Sequence, residues 1–144
     1  MDCLISWKNL LLAGIAFLLA VLFQTNADAE EKVVYKVVNS ANANVVLRGI
    51  DDHLEASKNK PSIVVVAEGK GVDFLVEGAK DEDGKPYQPR ITTLGDNGVQ
   101  FRVCGTTLKS RRIDPKIFLP EAKVVPSSSK EIERLKDEGF VVMR

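Results

Sequence analysis

The run Val33-Val34-Tyr35-Lys36-Val37-Val38 is rich in β-branched residues and stops at Asn39-Ser40, which predicts a first strand closed by a turn. The period then changes. Leu47, Ile50 and Leu54, with Val46 beside them, recur at helical spacing while Arg48, Asp52, Glu55 and Lys58 face away, so an amphipathic helix capped at Asn44 follows, weakened by Gly49. Pro61 halts it. The strand predicted over Ser62–Ala67 is apolar at every position from Ile63 onward, the pattern of a strand covered on both faces and hence of the sheet centre.

Glu68-Gly69-Lys70-Gly71 reads as a loop, and Val72 to Glu77 as a short helix or an irregular apolar segment. The turn-rich Asp81-Glu82-Asp83-Gly84-Lys85-Pro86 lacks the ligand spacing and closing Glu of a calcium loop. Tyr87 to Leu94 predicts a helix that stops near Gly95-Asp96-Asn97-Gly98, and Val99 to Cys104 a third strand. Thr106 or Thr107 can cap a short helix through Arg112, and Asp114-Pro115 opens a turn before the strand Ala122–Val125, which Pro126 closes. Ser128 and Glu131 have capping-box spacing, Ile132 and Leu135 share a face, and Gly139 stands where a left-handed cap belongs. Phe140 to Met143 makes a fifth strand. Strand and helix alternate with short connections, which predicts an α/β fold: a mainly parallel sheet with helices on both faces.

The N-terminus follows a different pattern. Leu10 to Phe23 carries no charge, Lys8 precedes it, and Ala27-Asp28-Ala29 places small residues where a signal peptidase requires them. Fourteen apolar residues suit a secretory h-region and fall short of the roughly 20 that a spanning helix needs. Residues 1–29 are therefore expected to be a cleaved signal peptide, and residues 30–144 a single periplasmic or secreted domain with no membrane contact; an uncleaved anchor would leave the same domain outside the cytoplasmic membrane. Cys3 lies ahead of the apolar run and is not a lipoprotein acceptor.

The whole chain has 20 basic and 20 acidic residues, a balance that disfavours nucleic acid, whose phosphates call for a basic surface. One His and two Cys cannot supply the usual zinc sets. After cleavage only Cys104 remains, so no disulfide can form within one chain, and a lone thiol in an oxidising compartment is either buried, paired between chains, or used.

In open α/β sheets reactive groups gather at the carboxyl ends of strands, and Cys104 ends its strand. Gly105 permits close backbone approach, the helix after it would aim N–H groups of Gly105 and Thr106 at the sulfur, and Lys109, Arg111 and Arg112 follow within two turns. These residues fit a thiolate nucleophile. They fit equally a small buried cysteine beside a solvated basic helix face. His53, inside the first helix and far from any strand end, reads as a structural or surface residue, and Asp51-Asp52 as solvating charges. Gly69-Lys70-Gly71 lacks the endings of a phosphate loop.

Phe101-Arg102-Val103-Cys104-Gly105-Thr106-Thr107-Leu108, with the basic stretch to Ile113, resembles the cysteine segment of the DsrE/DsrF-like proteins. The His53-Leu54 helix end, the Ile63–Ala67 strand and the closing Glu131-Ile132-Glu133-Arg134-Leu135-Lys136-Asp137-Glu138-Gly139-Phe140 keep that family's order, so the likeness spans about residues 33–143. The resemblance implies a three-layer α/β/α domain that assembles into homotrimers or homohexamers and passes sulfane sulfur as a persulfide on Cys104. A donor or acceptor protein would be its partner, and no cofactor is needed. Lys109, Arg111 and Arg112 would then steady anionic sulfur. Two other functions stay open: a non-catalytic oligomeric binding protein with a structural Cys104, and a redox sensor that joins subunits by a disulfide.

Overall fold

The computed structural model describes residues 30–143, so the apolar N-terminal run and its expected cleavage site lie outside the described residues. Five strands, β1 (Lys32–Asn39), β2 (Ser62–Lys70), β3 (Gln100–Cys104), β4 (Ala122–Val125) and β5 (Val141–Met143), form one sheet in the order β4-β3-β2-β1-β5. Every neighbouring pair is parallel, which sharpens the expected "mainly parallel" sheet to an all-parallel one. Val34 sits opposite Val64 and Val142, Val66 opposite Arg102, and Cys104 opposite Val125. Parallel neighbours need crossovers, and the helices α1 (Ala43–Ala56), α2 (Gln88–Asp96), α3 (Gly105–Arg111) and α4 (Ser128–Asp137) supply them.

Alternation along each strand sorts its side chains onto two faces. Val37, Ile63, Val65, Ala67, Phe101 and Val103 pack with Leu47 and Ile50 of α1 and Ile91 and Leu94 of α2 in the larger core. Val34, Val64 and Val66 meet Leu135 of α4 in a smaller one. The layers are thus α/β/α, as expected.

Several boundaries move for identifiable reasons. α1 begins at Ala43 rather than after Asn44, because Asn39 first caps a 3-10 turn by accepting from Ala41 N–H at 3.1 Å. The Asn44 amide donates instead to Asp81 Oδ2 at 3.1 Å. Glu68-Gly69-Lys70 is not a loop: β2 continues through it alongside β1, with a register irregularity between Val37 and Asn39. A 3-10 turn, Gly71–Leu75, then buries Val72, Phe74 and Leu75, which resolves the ambiguous apolar segment. Cys104 itself, not Thr106 or Thr107, flanks the start of α3, and α3 stops at Arg111 with Arg112 in the left-handed region at φ 54°. The capping box is displaced too. Ser127 flanks α4, so Ser128 and Glu131 lie inside the helix, both buried; Gly139 takes its left-handed place at φ 92°.

Candidate functional site

Cys104 lies at the carboxyl end of β3 on the α4 face of the sheet, one pleat beyond Arg102. The chain turns directly from strand into α3, and that turn demands glycine: a Cβ on Gly105 would stand 2.7 Å from the Val125 carbonyl and 3.2 Å from that of Pro126. Gly105 lets α3 lie against the end of β4, and so brings the start of α4, two residues past Pro126, over the sulfur.

Ser128 is the residue that meets it. Its backbone N–H donates to Cys104 Sγ at 3.3 Å, and its hydroxyl donates to Glu68 Oε2. Glu68, at the end of neighbouring β2, holds Lys36 Nζ at 2.8 Å through Oε1. Thr107 Oγ1 accepts from Gly69 N–H at 3.0 Å and Thr106 Oγ1 donates to the Pro126 carbonyl at 3.2 Å, tying α3 to both flanking strand ends. Glu68, Cys104, Thr106, Thr107 and Ser128 line a cleft of about 320 Å³, with Ser110, Ser127 and Ser129 adding further hydroxyls.

The sulfur is only 4% exposed, and burial works against its ionisation. The hydrogen bonds that the Ser128 hydroxyl and amide and the Thr107 amide and hydroxyl can offer to the ionised sulfur outweigh burial and bring the thiol down from its ordinary 9.0 to about 7. A substantial fraction is therefore thiolate at neutral pH, the form that attacks sulfur or carbon electrophiles. Glu68 stays below the usual carboxylate range: burial opposes this, but Lys36 and the Ser128 hydroxyl prevail.

The expected site residues separate into two groups. Cys104, Gly105 and Thr106 come together at the cleft or its floor. Arg111 does not join them: its guanidinium donates to the Gly69 carbonyl at 2.8 Å and to both Asp73 oxygens at 2.8 and 3.2 Å, fastening α3 to the turn after β2. Lys109 and Arg112 are exposed and line no part of the cleft. Amide and hydroxyl dipoles, not cations, depress the thiol.

Ser128, Thr107 and Glu68 escaped the sequence reading as site residues. Ser128 lies 24 positions after Cys104 and 60 after Glu68. Strand order was the missing signal: once β2 and β4 flank β3 in a parallel sheet, the end of β2 and the helix after β4 must converge on the end of β3.

A larger groove, about 940 Å³, runs along α1 and β1 and shares no lining residue with the sulfur cleft. His53 lies there, half-buried, with Nδ1 3.0 Å from the Tyr35 hydroxyl and Nε2 2.9 Å from Glu31 Oε1 without hydrogen-bond alignment, and it belongs to no arrangement with Cys104.

A family model described as the DsrE/DsrF-like family matches residues 18–144. The chain belongs to the DsrE/DsrF-like family. Among solved structures, this DsrE/DsrF-like chain is similar to MTH1491, a protein of unknown function from Methanobacterium thermoautotrophicum, with a TM-score of 0.70 and 24% identity over 80% of this chain and 99% of that one. It is similar also to the YchN protein of E. coli, with a TM-score of 0.65 and 16% identity over 78% and 99% of the two chains. Both likenesses are of fold. No curated protein sequence matches the chain.

Proposed function

We propose that this protein is a sulfur carrier in which Cys104 accepts sulfane sulfur, holds it as a persulfide and passes it to an acceptor thiol. The observation that supports this most directly is a thiol brought down to about 7 in the lining of a hydroxyl-rich cleft, without any second cysteine in the described residues to pair with. In the loading step the Cys104 thiolate attacks the outer sulfur of a donor persulfide or polysulfide. A bond forms from Sγ to that sulfur, the donor's own S–S bond breaks, and the donor leaves as a thiolate. In the unloading step an acceptor thiolate attacks the same outer sulfur and Cys104 leaves as thiolate. No external oxidant is consumed in either step. Donor amides at Ser128 and Thr107 would steady the anion in each resting state.

Export past a signal peptide cleaved after Ala29, assembly into a trimer or hexamer, and a protein donor or acceptor are parts of the same proposal. Mass spectrometry of the protein after exposure to polysulfide tests the core of it. The expected result is a mass gain of one sulfur atom on Cys104, removed by an added thiol; an unmodified Cys104 beside a reacting control thiol rejects the carrier. The 4% exposure of Cys104 favours one competing reading, a non-catalytic oligomeric binding protein with a structural cysteine. That reading predicts slow alkylation of the native thiol and a silent Cys104→Ser variant.

A further inference from the structure

Ser128 stands between two anions and has one hydroxyl proton. Its amide is committed to Cys104 Sγ, while its hydroxyl donates to Glu68 Oε2. A thiolate at Cys104 would draw the same proton. Both bonds cannot be made at once.

We propose that Glu68 restrains the ionisation of Cys104 by competing with the sulfur for the hydroxyl proton of Ser128, and that Lys36 sets the strength of this restraint. The inference rests on the reading of Cys104 as the reactive sulfur. When Cys104 ionises, its S–H bond breaks and the proton leaves to solvent. The Ser128 hydroxyl then turns from Glu68 to Sγ, so the carboxylate loses a bond as the thiolate gains one. Glu68 also places negative charge one hydroxyl away from a developing negative charge, which disfavours the thiolate by the same sign. Lys36 Nζ, 2.8 Å from Glu68 Oε1, offsets part of that charge.

The surroundings contain little else that can act in this way. Among the residues that line the cleft, Glu68 and Cys104 are the ionisable ones; Val38 comes from β1, Thr106, Thr107 and Ser110 from α3, and Ser127 and Ser129 flank Ser128. Arg102, on the same face of β3, is taken by Glu131 of α4 at 3.3 Å. A partner that brought a cation to the mouth of the cleft would weaken Glu68 as a competitor and thereby release the thiolate. Activation would then coincide with docking of a donor or acceptor.

The test is the pH dependence of iodoacetamide alkylation of Cys104 in the folded protein, which needs no sulfur donor. Glu68→Gln is expected to lower the midpoint by about one pH unit and so speed alkylation at pH 6 about fivefold. Lys36→Met is expected to raise the midpoint by about half a unit, and Ser128→Ala to raise it as well. In the Ser128→Ala background the effect of Glu68→Gln should shrink to less than half, because the shared proton is gone. An unchanged or raised midpoint in Glu68→Gln overturns the proposal, and so does its full shift persisting without Ser128. Thermal melts accompany each variant, and Lys36→Met, a change at an exposed position, carries the test if Glu68→Gln fails to fold: a lowered or unmoved midpoint there is equally fatal. A Glu68 effect without persulfide formation removes the carrier function alone, and persulfide formation with no Glu68 effect removes the restraint alone.

Discussion

The two faces of the sheet are built on different principles. Towards α1 and α2, the strand residues Val37, Ile63, Val65, Ala67, Phe101 and Val103 are apolar and buried, and Leu47, Ile50, Ile91 and Leu94 close over them. Towards α4 the same strands begin apolar, at Val34, Val64 and Val66, and turn polar as they run to their carboxyl ends, at Lys36, Glu68, Arg102 and Cys104. Among the described residues a single ten-residue helix covers that second face. The first face stabilises the fold; the second has enough packing to fix polar groups and leaves a cleft open beside them.

Leucine truncation measures the contrast with the chemistry held constant. Leu47→Ala, on the buried face of α1, is expected to cost about 4 kcal/mol, and Leu135→Ala, on the buried face of α4, about 2–3 kcal/mol, because a thinly covered site can relax or admit water. Urea unfolding of the two variants checks this. Equal costs would erase the asymmetry.

Glu131 is the polar anchor of the thin face, accepting from Arg102 Nε at 3.3 Å and from Arg134 Nη2 at 2.8 Å while only 9% exposed. Glu131→Ala leaves the Arg102 guanidinium without its carboxylate and is expected to destabilise by about 3 kcal/mol. The Arg134 guanidinium, foremost, holds the Glu131 carboxyl below the usual carboxylate range, with Arg102 assisting against the effect of burial. A depressed carboxyl stabilises the fold above its unfolded value, about 4.3, and loses that contribution as pH falls through its lower folded value. Acid unfolding curves should therefore separate wild type from Glu131→Gln above pH 4.3 and converge below it.

At the sulfur the expected effect is kinetic. Alkylation of Cys104 by iodoacetamide should rise with pH and reach half its maximum near pH 7, two units below an ordinary thiol at 9.0. A midpoint near 9 would mean that the hydroxyl and amide donors do not overcome burial. The smallest effect belongs to the basic cluster. Arg111→Gln breaks a surface pair with Asp73 and should cost less than about 1 kcal/mol, and Lys109→Gln should change the alkylation rate at pH 7 less than about twofold. A tenfold loss at Lys109 would restore the cations to the site.

The positions of Cys104 and Gly105 were legible in the chain because a strand ending in Cys-Gly before a helix has one consequence in a parallel sheet: a thiol at the carboxyl edge. The basic residues misled for a local reason. Lys109, Arg111 and Arg112 are near Cys104 in sequence, but a helix carries successive side chains around its axis, and α3 turns Arg111 towards Asp73 and leaves Lys109 and Arg112 in solvent. Ser128 hid behind a plausible capping role. Its actual partners, Cys104 and Glu68, are reached only across the sheet.

Periodicity along the chain determined the alternation of strands and helices, the central β2 and the place of Cys104 at the end of β3, since these depend on which neighbours in sequence share a face. The order β4-β3-β2-β1-β5, the unequal cover of the two faces and the meeting of Lys36, Glu68, Ser128 and Cys104 were decided only in three dimensions. A hydrogen bond between residues scores of positions apart leaves no local pattern; it exists because closing the cores brings three strand ends and one helix start to a single edge.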